Sequence, residues 1–446
     1  METSVPVQEK PTWLARALIN RQFALLWSGQ SISYLGDYVF DTTLLLWIAA
    51  SIARGQSWGP LAVSGLLAAA ALPALLIGPL AGVFVDRWDK RRTMLWADAL
   101  RAGLIASLLL ATNIVPLPFL PGGRFSVVWQ LGMIYSAVAL ESACSQFFGP
   151  SRYALIGDIV EEPQRARAIG FLHTTMNLAL ILGPSLAAPL FLGLGVYWAL
   201  IINALSFVVS FLAILKMRVP PAARSIAPGQ RPHFLREFAE GLRFYRRNRV
   251  LITLLICGIL FVAGGGFIEA LTVFFVARNL HMPVSFYGLL LSAYGAGVVA
   301  GSTLAALFAQ RVKVTRTFWL AMIGWGLLAM VFAKLTSFAL AVPIFFLLGV
   351  CNAGVLVVLV PLRLQVTPRE LIGRASSIDG PVVMLSSLVA TALAGYLDSV
   401  VLRNLHMALF GLRFGSVDTL LLGAGVLVVL GGVYAMVNLR DLPPAR

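Results

Sequence analysis

Gly82-Val83-Phe84-Val85-Asp86-Arg87-Trp88-Asp89-Lys90-Arg91-Arg92 decides the fold of this chain. It fills a short gap between two long apolar segments. Residues 86–92 hold four cations and two carboxylates. An apolar chain that leaves a membrane must turn in a charged, hydrated segment, and cations in short loops mark the cytoplasmic side. The stretch therefore reads as a turn between two membrane helices, and Asp86 with Arg87 reads as part of a latch at its entrance.

The rest of the chain agrees with that reading. Of its 446 residues, 59% are hydrophobic and 12% charged, and the mean hydropathy is +0.87. A soluble domain carries about 25% charged residues, so this composition excludes a soluble globular protein. Apolar runs recur along the whole length, each near the ~20 residues that cross a bilayer core as a helix. Residues 1–20 are polar and basic, without the apolar core of a cleavable signal peptide. Cys144, Cys257 and Cys351 fall singly in apolar runs and form neither a disulfide framework nor a metal site. The formal charge of +15 lies in short loops between apolar spans, which argues for topology and anionic-lipid contact and against nucleic-acid binding.

Twelve spans are expected, near residues 22–50, 60–84, 93–115, 126–149, 166–192, 195–216, 250–277, 285–310, 317–334, 337–362, 375–401 and 416–439. The gaps after odd-numbered spans hold Arg54, Arg124, Arg278, Lys334, Arg403 and Arg413, six of the 34 Lys and Arg. The other gaps and the termini hold most of the Lys and Arg, which places both termini in the cytoplasm. The organisation expected is a cytoplasmic segment 1–21, a six-helix bundle 22–216, a basic linker 217–249, a second bundle 250–439 and a tail 440–446. In the linker, Phe234, Phe238 and Leu242 share a helical face that the basic residues avoid, the pattern of an interfacial amphipathic helix. Residues 77–92 align with 301–316: Leu80, Ala81, Phe84, Arg87 and Arg92 meet Leu304, Ala305, Phe308, Arg311 and Arg316. Both stretches are the second helix of their half. Gly78/Gly82 and Gly297/Gly301 are small-xxx-small pairs that allow close helix approach.

Twelve spans, a six-plus-six repeat, a central basic loop and the Gly82–Arg92 motif together resemble the major facilitator superfamily. Asn20–Gln30 with Leu35-Gly36-Asp37, Pro150–Ile156, Gly183-Pro184 and Ile202–Phe207 are similar to its branch of drug, macrolide and siderophore exporters related to the enterobactin exporter. The resemblance implies an all-α fold of two pseudo-symmetric bundles, with helices 1, 4, 7 and 10 around a central cavity. It implies a cytoplasmic gating motif of Gly82, Asp86, Arg87, Lys90 and Arg91, with Asp158 and Asp379 as candidate carboxylates for Arg87 and Arg91 only when the two halves close on the cytoplasmic side. It also implies a helix-5 packing motif, here Ala179, Gly183, Pro184, Ala187 and Ala188, with Ala at three positions where the family has Gly. Asp89 replaces a further family Gly, and helix 4 lacks the Arg of many proton antiporters.

Buried acids are the candidates for coupling. A carboxylate at membrane depth costs about 2.5–3.5 kcal/mol or more, and such residues are functional candidates by default. Asp37 and Asp41 lie on one face of helix 1, where they repel and suit a group that alternates between a proton and a cationic substrate; alternatively, Asp37 caps a helix contact and Asp41 lies near the outer surface. Glu141 on helix 4 and Glu269 on helix 7 are the other candidates; Glu269 either faces the cavity or pairs with Arg278. Asp98 and Arg101, three residues apart on helix 3, are expected to form a local ion pair. No Arg is expected mid-membrane on the cavity helices. Tyr38, Trp47, Phe147 and Phe148 either stack on a planar substrate or pack. His173, His233, His281 and His406 show no metal-ligand spacing, and Asp379-Gly380-Pro381 marks a kink at the start of helix 11.

These readings favour a secondary exporter of an amphipathic, cationic or neutral small molecule, working by alternating access against inward proton flow. Its partners are that small molecule, protons and membrane lipids. It is expected in the plasma membrane as a monomer, with no cofactor, no metal and no nucleic acid. A lipid or lysolipid flippase, or an importer, shares the same pattern. A membrane enzyme or a sensor is disfavoured: no H-E-x-x-H or Walker sequence occurs.

Overall fold

The computed structural model describes residues 19–85, 87–114, 123–219, 245, 248–308, 314–367, 372–405, 407–409 and 412–439. They form twelve long helices. These are α1 Arg21–Trp47, α2 Gly59–Val85, α3 Lys90–Ala111, α4 Val127–Ile159, α5 Glu162–Gly193 and α6 Val196–Lys216, then α7 Arg249–Arg278, α8 Tyr287–Phe308, α9 Val314–Phe332, α10 Phe338–Val366, α11 Ile372–Tyr396 and α12 Ser416–Asn438. All twelve are long and apolar enough to cross a membrane. The loop before α12 carries a two-stranded antiparallel ribbon, β1 Met407–Leu409 with β2 Leu412–Phe414, which the sequence did not announce. The amphipathic linker helix, the N-terminal segment, the C-terminal tail and Asp86 lie outside the described residues.

Local chemistry sets several boundaries. The Asn20 side chain accepts from Phe23 N at 2.8 Å and starts α1. Asp89, the residue that departs from the family pattern, accepts from Arg92 N at 2.7 Å and caps α3. The sequence places the end of the fourth span at 149, before Pro150. Instead α4 runs on to Ile159. Pro150 withholds the donor that would serve the Gln146 carbonyl, and neighbouring helices let a membrane helix tolerate that loss.

The helices pack in a repeated scheme. In the first half α1 lies against α5 and α6, α2 against α4, and α3 against α4 and α6. In the second half α7 lies against α11 and α12, α8 against α10, and α9 against α10 and α12. Each contact in one half reappears six helices later. The main contacts between the halves, α2 with α11 and α5 with α8, obey the same relation. Apolar side chains such as Trp96 and Leu307, each 70% exposed, cover the outside, as lipid requires.

The core shows which face is closed. One apolar cluster fills the second half over its depth and reaches the first half near the loops that follow odd-numbered helices, where it joins Leu44, Ile48 and Val63 to Phe274, Phe275 and Leu290. At the opposite face the halves have separate clusters. Phe23, Met94, Leu155 and Ile214 belong to the first half, and Tyr245 and Leu251 to the second. Polar contacts between the halves agree: Leu61 N donates to Ser399 Oγ at 3.1 Å, and Ser185 Oγ to Ser292 Oγ at 2.6 Å. Among the described residues the halves therefore meet at the odd-loop face and stand apart at the even-loop face.

Candidate functional site

Arg101 organises the polar interior of the first half. It rises from α3, 6% exposed, behind the wall formed by α1 and α4. Its Nε donates to Glu141 Oε1 at 2.9 Å. Its Nη2 lies 3.4 Å from Asp37 Oδ2, and its Nη1 lies 3.5 Å from Asp98 Oδ1. The guanidinium sits over the Phe207 ring at 4.1 Å and near Phe148 at 5.4 Å, a cation–π cradle on its apolar side. Ser145 Oγ donates to Glu141 Oε1 at 3.0 Å. Asp98 is fully buried, and neither of its carboxylate oxygens has a hydrogen-bond partner among the described residues.

The expected local pair of Asp98 and Arg101 is thus one edge of a larger cluster, and the shorter contact of Arg101 goes to Glu141. This cluster leaves untouched the expectation of no arginine mid-membrane on the cavity helices. Arg101 sits on a helix outside the cavity set, and its length carries the charge inward. The available signal was electrostatic: acids in apolar spans need a counter-ion, and Arg101 lies inside the third span.

Asp37 is half-buried and Asp41 exposed. Asp41 lies within electrostatic range of Asp37, Glu141, Glu269 and Arg101, so it shares one space with carboxylates from three helices. Glu269 is also exposed and lies within range of Tyr287 and Tyr294 on α8. It does not pair with Arg278, which donates to the buried Asp398 at 2.9 Å on the odd-loop face. Three of the four candidates thus gather on the first half, and Glu269 approaches from the second. Of the aromatic candidates, Trp47 and Phe148 are core residues, while Phe147 stacks on Trp88 with ring centroids 5.6 Å apart.

The gating residues keep to their own halves. Lys90 Nζ pairs with Asp158 Oδ2 at 2.8 Å. Arg91 donates to the carbonyls of Ile214 and Leu215, at 3.1 and 2.6 Å, where the C-terminus of α6 attracts a cation. Arg87 is exposed, and a side chain on Gly82 would meet nothing within 4 Å. Asp379 pairs with Arg363 Nη1 at 3.0 Å and accepts from Tyr245 Oη; burial and that hydrogen bond push the Tyr245 hydroxyl up. The expected pairing of Arg87 and Arg91 with Asp158 and Asp379 is therefore not made. On this open face each acid takes a closer cation of its own half.

The helix-5 motif is a packing surface on both sides. A Cβ on Gly183 would lie 2.4 Å from Tyr38 Cβ on α1. The Pro184 carbonyl occupies the space of a Cβ on Gly288 of α8, 2.2 Å away, and Ala188 stands beside it. Ala179 and Ala187 are buried. Alanine evidently suffices where the family has glycine, because the closest approaches fall at Gly183 and Pro184. His173 and His281 are exposed, and no group of metal-ligating side chains occurs among the described residues.

A family model described as "Transmembrane secretion effector" matches residues 14–431. Macrolide efflux protein A of Streptococcus pyogenes is 23% identical over 424 residues, covering 94% of this chain and 96% of that one. An uncharacterized MFS-type transporter of Bacillus subtilis, YkuC, is 22% identical over 433 residues, covering 94% and 93%. A putative bacilysin exporter of Bacillus subtilis, BacE, is 25% identical over half of each chain. Among solved structures, a bacterial homologue of the iron transporter ferroportin in an inward-facing state aligns with TM-score 0.70, 13% identity and 94% of this chain against 99% of that one. A bacterial homologue of the lysosomal transporter Spinster, inward-facing and unoccupied, aligns with TM-score 0.67, 15% identity and 95% against 99%.

Proposed function

Since the chain belongs to the transmembrane secretion effectors, a family of major facilitator transporters, we propose that it is a proton-coupled exporter of amphipathic small molecules, cationic or neutral. It is a multi-pass membrane transporter and not an enzyme. The observation that carries the finer reading is the charge balance at Arg101: one guanidinium serves three carboxylates at membrane depth. A proton or a cationic substrate restores that balance, and exchange of one for the other couples their movements. Asp41 and Glu269 are exposed on facing halves, where such a substrate meets a carboxylate from each.

The cation-rich even-loop face is assigned to the cytoplasm of a plasma membrane, with both termini there. The structure is then inward-open. Residues 22–216 and 250–439 act as two bodies that rock about the α2–α11 and α5–α8 contacts. Closure brings Arg87, Arg91 and Asp379 towards one another across the cleft, which is the role proposed for the gating motif, with Asp86. The efflux relatives, macrolide efflux protein A and the putative bacilysin exporter, support export over import.

The test is efflux from cells expressing the protein, using fluorescent amphipathic cations, uncharged macrolides and siderophores, with and without a proton uncoupler. Uncoupler-sensitive efflux that disappears in Asp37→Asn, Asp41→Asn or Glu141→Gln is expected. Efflux that survives all three substitutions removes these acids as coupling groups, and absence of efflux for every compound in folded protein removes the exporter reading.

A further inference from the structure

A cavity of about 260 Å³ opens in the second half between α7, α9, α10 and α11. It is separate from the carboxylates of the first half. Phe261, Leu359, Val383 and Met384 give it apolar walls, and the Arg363–Asp379 ion pair closes one end. A dry apolar cavity of about 150 Å³ holds benzene, so this one holds a two-ring aromatic group or a short alkyl chain. Interiors seldom leave such space unfilled. Two glycines in its wall leave room here: a Cβ on Gly258 would lie 3.6 Å from Val383 Cγ2, and a Cβ on Gly380 would meet nothing within 4 Å.

The polar end has one unused group. Asp379 is occupied by Arg363 Nη1 and by Tyr245 Oη. Arg363 Nε is buried and has no partner among the described residues, so it offers one hydrogen bond to whatever occupies the pouch. Cys257, also in the wall, is turned away, its Sγ donating to Gly431 O at 3.4 Å. Along α7, Phe261 precedes Glu269 by eight residues, which is about 12 Å of helix. One helix thus presents an apolar pouch and, about 12 Å further into the membrane, an exposed carboxylate.

We propose that this pouch is a second subsite for the exported molecule: it takes the apolar arm of an amphiphile whose cationic group lies about 12 Å away, at Glu269 and Asp41. This deepens the exporter reading and rests on it. The pouch lies along Cys257–Val262 of α7, nearer the even-loop face than Glu269, so a molecule entering the open cleft reaches it before that carboxylate. An arm that carries a carbonyl or ether oxygen gains the Arg363 Nε hydrogen bond in addition.

The probes are naphthyl groups joined to trimethylammonium by one, four or eight methylenes. Binding to purified full-length protein is read as naphthyl fluorescence anisotropy, which needs no transport. The longest linker should bind about tenfold or more tighter than the shortest, the scale set by burying an apolar arm. Gly258→Leu and Gly380→Leu, which fill the pouch from two sides, should each remove that preference. Gly258→Ala, for which there is room, should keep it. Affinity independent of linker length, or unchanged in both leucine variants, overturns the pouch while leaving export to stand on the efflux assay. Pouch-dependent binding in a protein that exports no compound overturns the exporter reading instead.

Discussion

Replacing Arg101 by Gln strands charge in the first half, and the structure fixes where. Asp98 is wholly buried, has no hydrogen-bond partner on either oxygen among the described residues, and has Arg101 at 3.5 Å as its compensating cation. Asp37 and Glu141 keep 27% and 19% of their side chains exposed, so water replaces part of what they lose. Removing one member of a buried ion pair costs about 3–5 kcal/mol, and the burden here falls on Asp98. At about 2 °C per kcal/mol, the value for larger domains, Arg101→Gln should lower the melting temperature by roughly 6–10 °C. The assay is thermal unfolding of the purified protein in detergent micelles. The decisive companion is Asp98→Asn in the Arg101→Gln background, which removes the stranded charge and should recover at least half of the loss. A melting temperature for Arg101→Gln within about 2 °C of the wild type would refute the argument. Rescue by Glu141→Gln but not by Asp98→Asn would refute its assignment to Asp98.

Two further outcomes follow from particular contacts. The Ser185 and Ser292 Oγ atoms are 2.6 Å apart across the α5–α8 contact, close to the ~2.0 Å of an S–S bond. In a background lacking Cys144, Cys257 and Cys351, Ser185→Cys with Ser292→Cys should oxidise readily and stop transport until reduced. Cross-linked protein that still transports at the wild-type rate would show that the halves do not separate at this face. Asp89→Ala removes the cap of α3 and should cost about 1 kcal/mol, whereas Lys90→Ala breaks only an exposed pair and should cost less than about 1 kcal/mol. Thermal unfolding ranks the two, and the reverse order would discard the capping role of Asp89.

The sequence by itself determined the twelve spans, their grouping by sixes and the charge asymmetry of the two faces. These are signals carried by neighbours along the chain: about 20 apolar residues, then a turn with cations, repeated. It also located the acids, because a carboxylate in an apolar run stands out wherever it occurs. It did not show that Glu141 meets Arg101, 40 residues earlier on another helix, since no local pattern encodes which faces of two helices come together. For the same reason Gly183 read as a family motif, and only packing showed Tyr38 filling the place of its side chain. Pro150 marked an end that the helix did not take, because side-chain donors and neighbouring helices decide whether a membrane helix tolerates proline. The open even-loop face depends on how the two halves are docked, and the pairing of Asp379 with Arg363 and the pouch beside it depend on how helices of the second half pack; that information exists only in three dimensions.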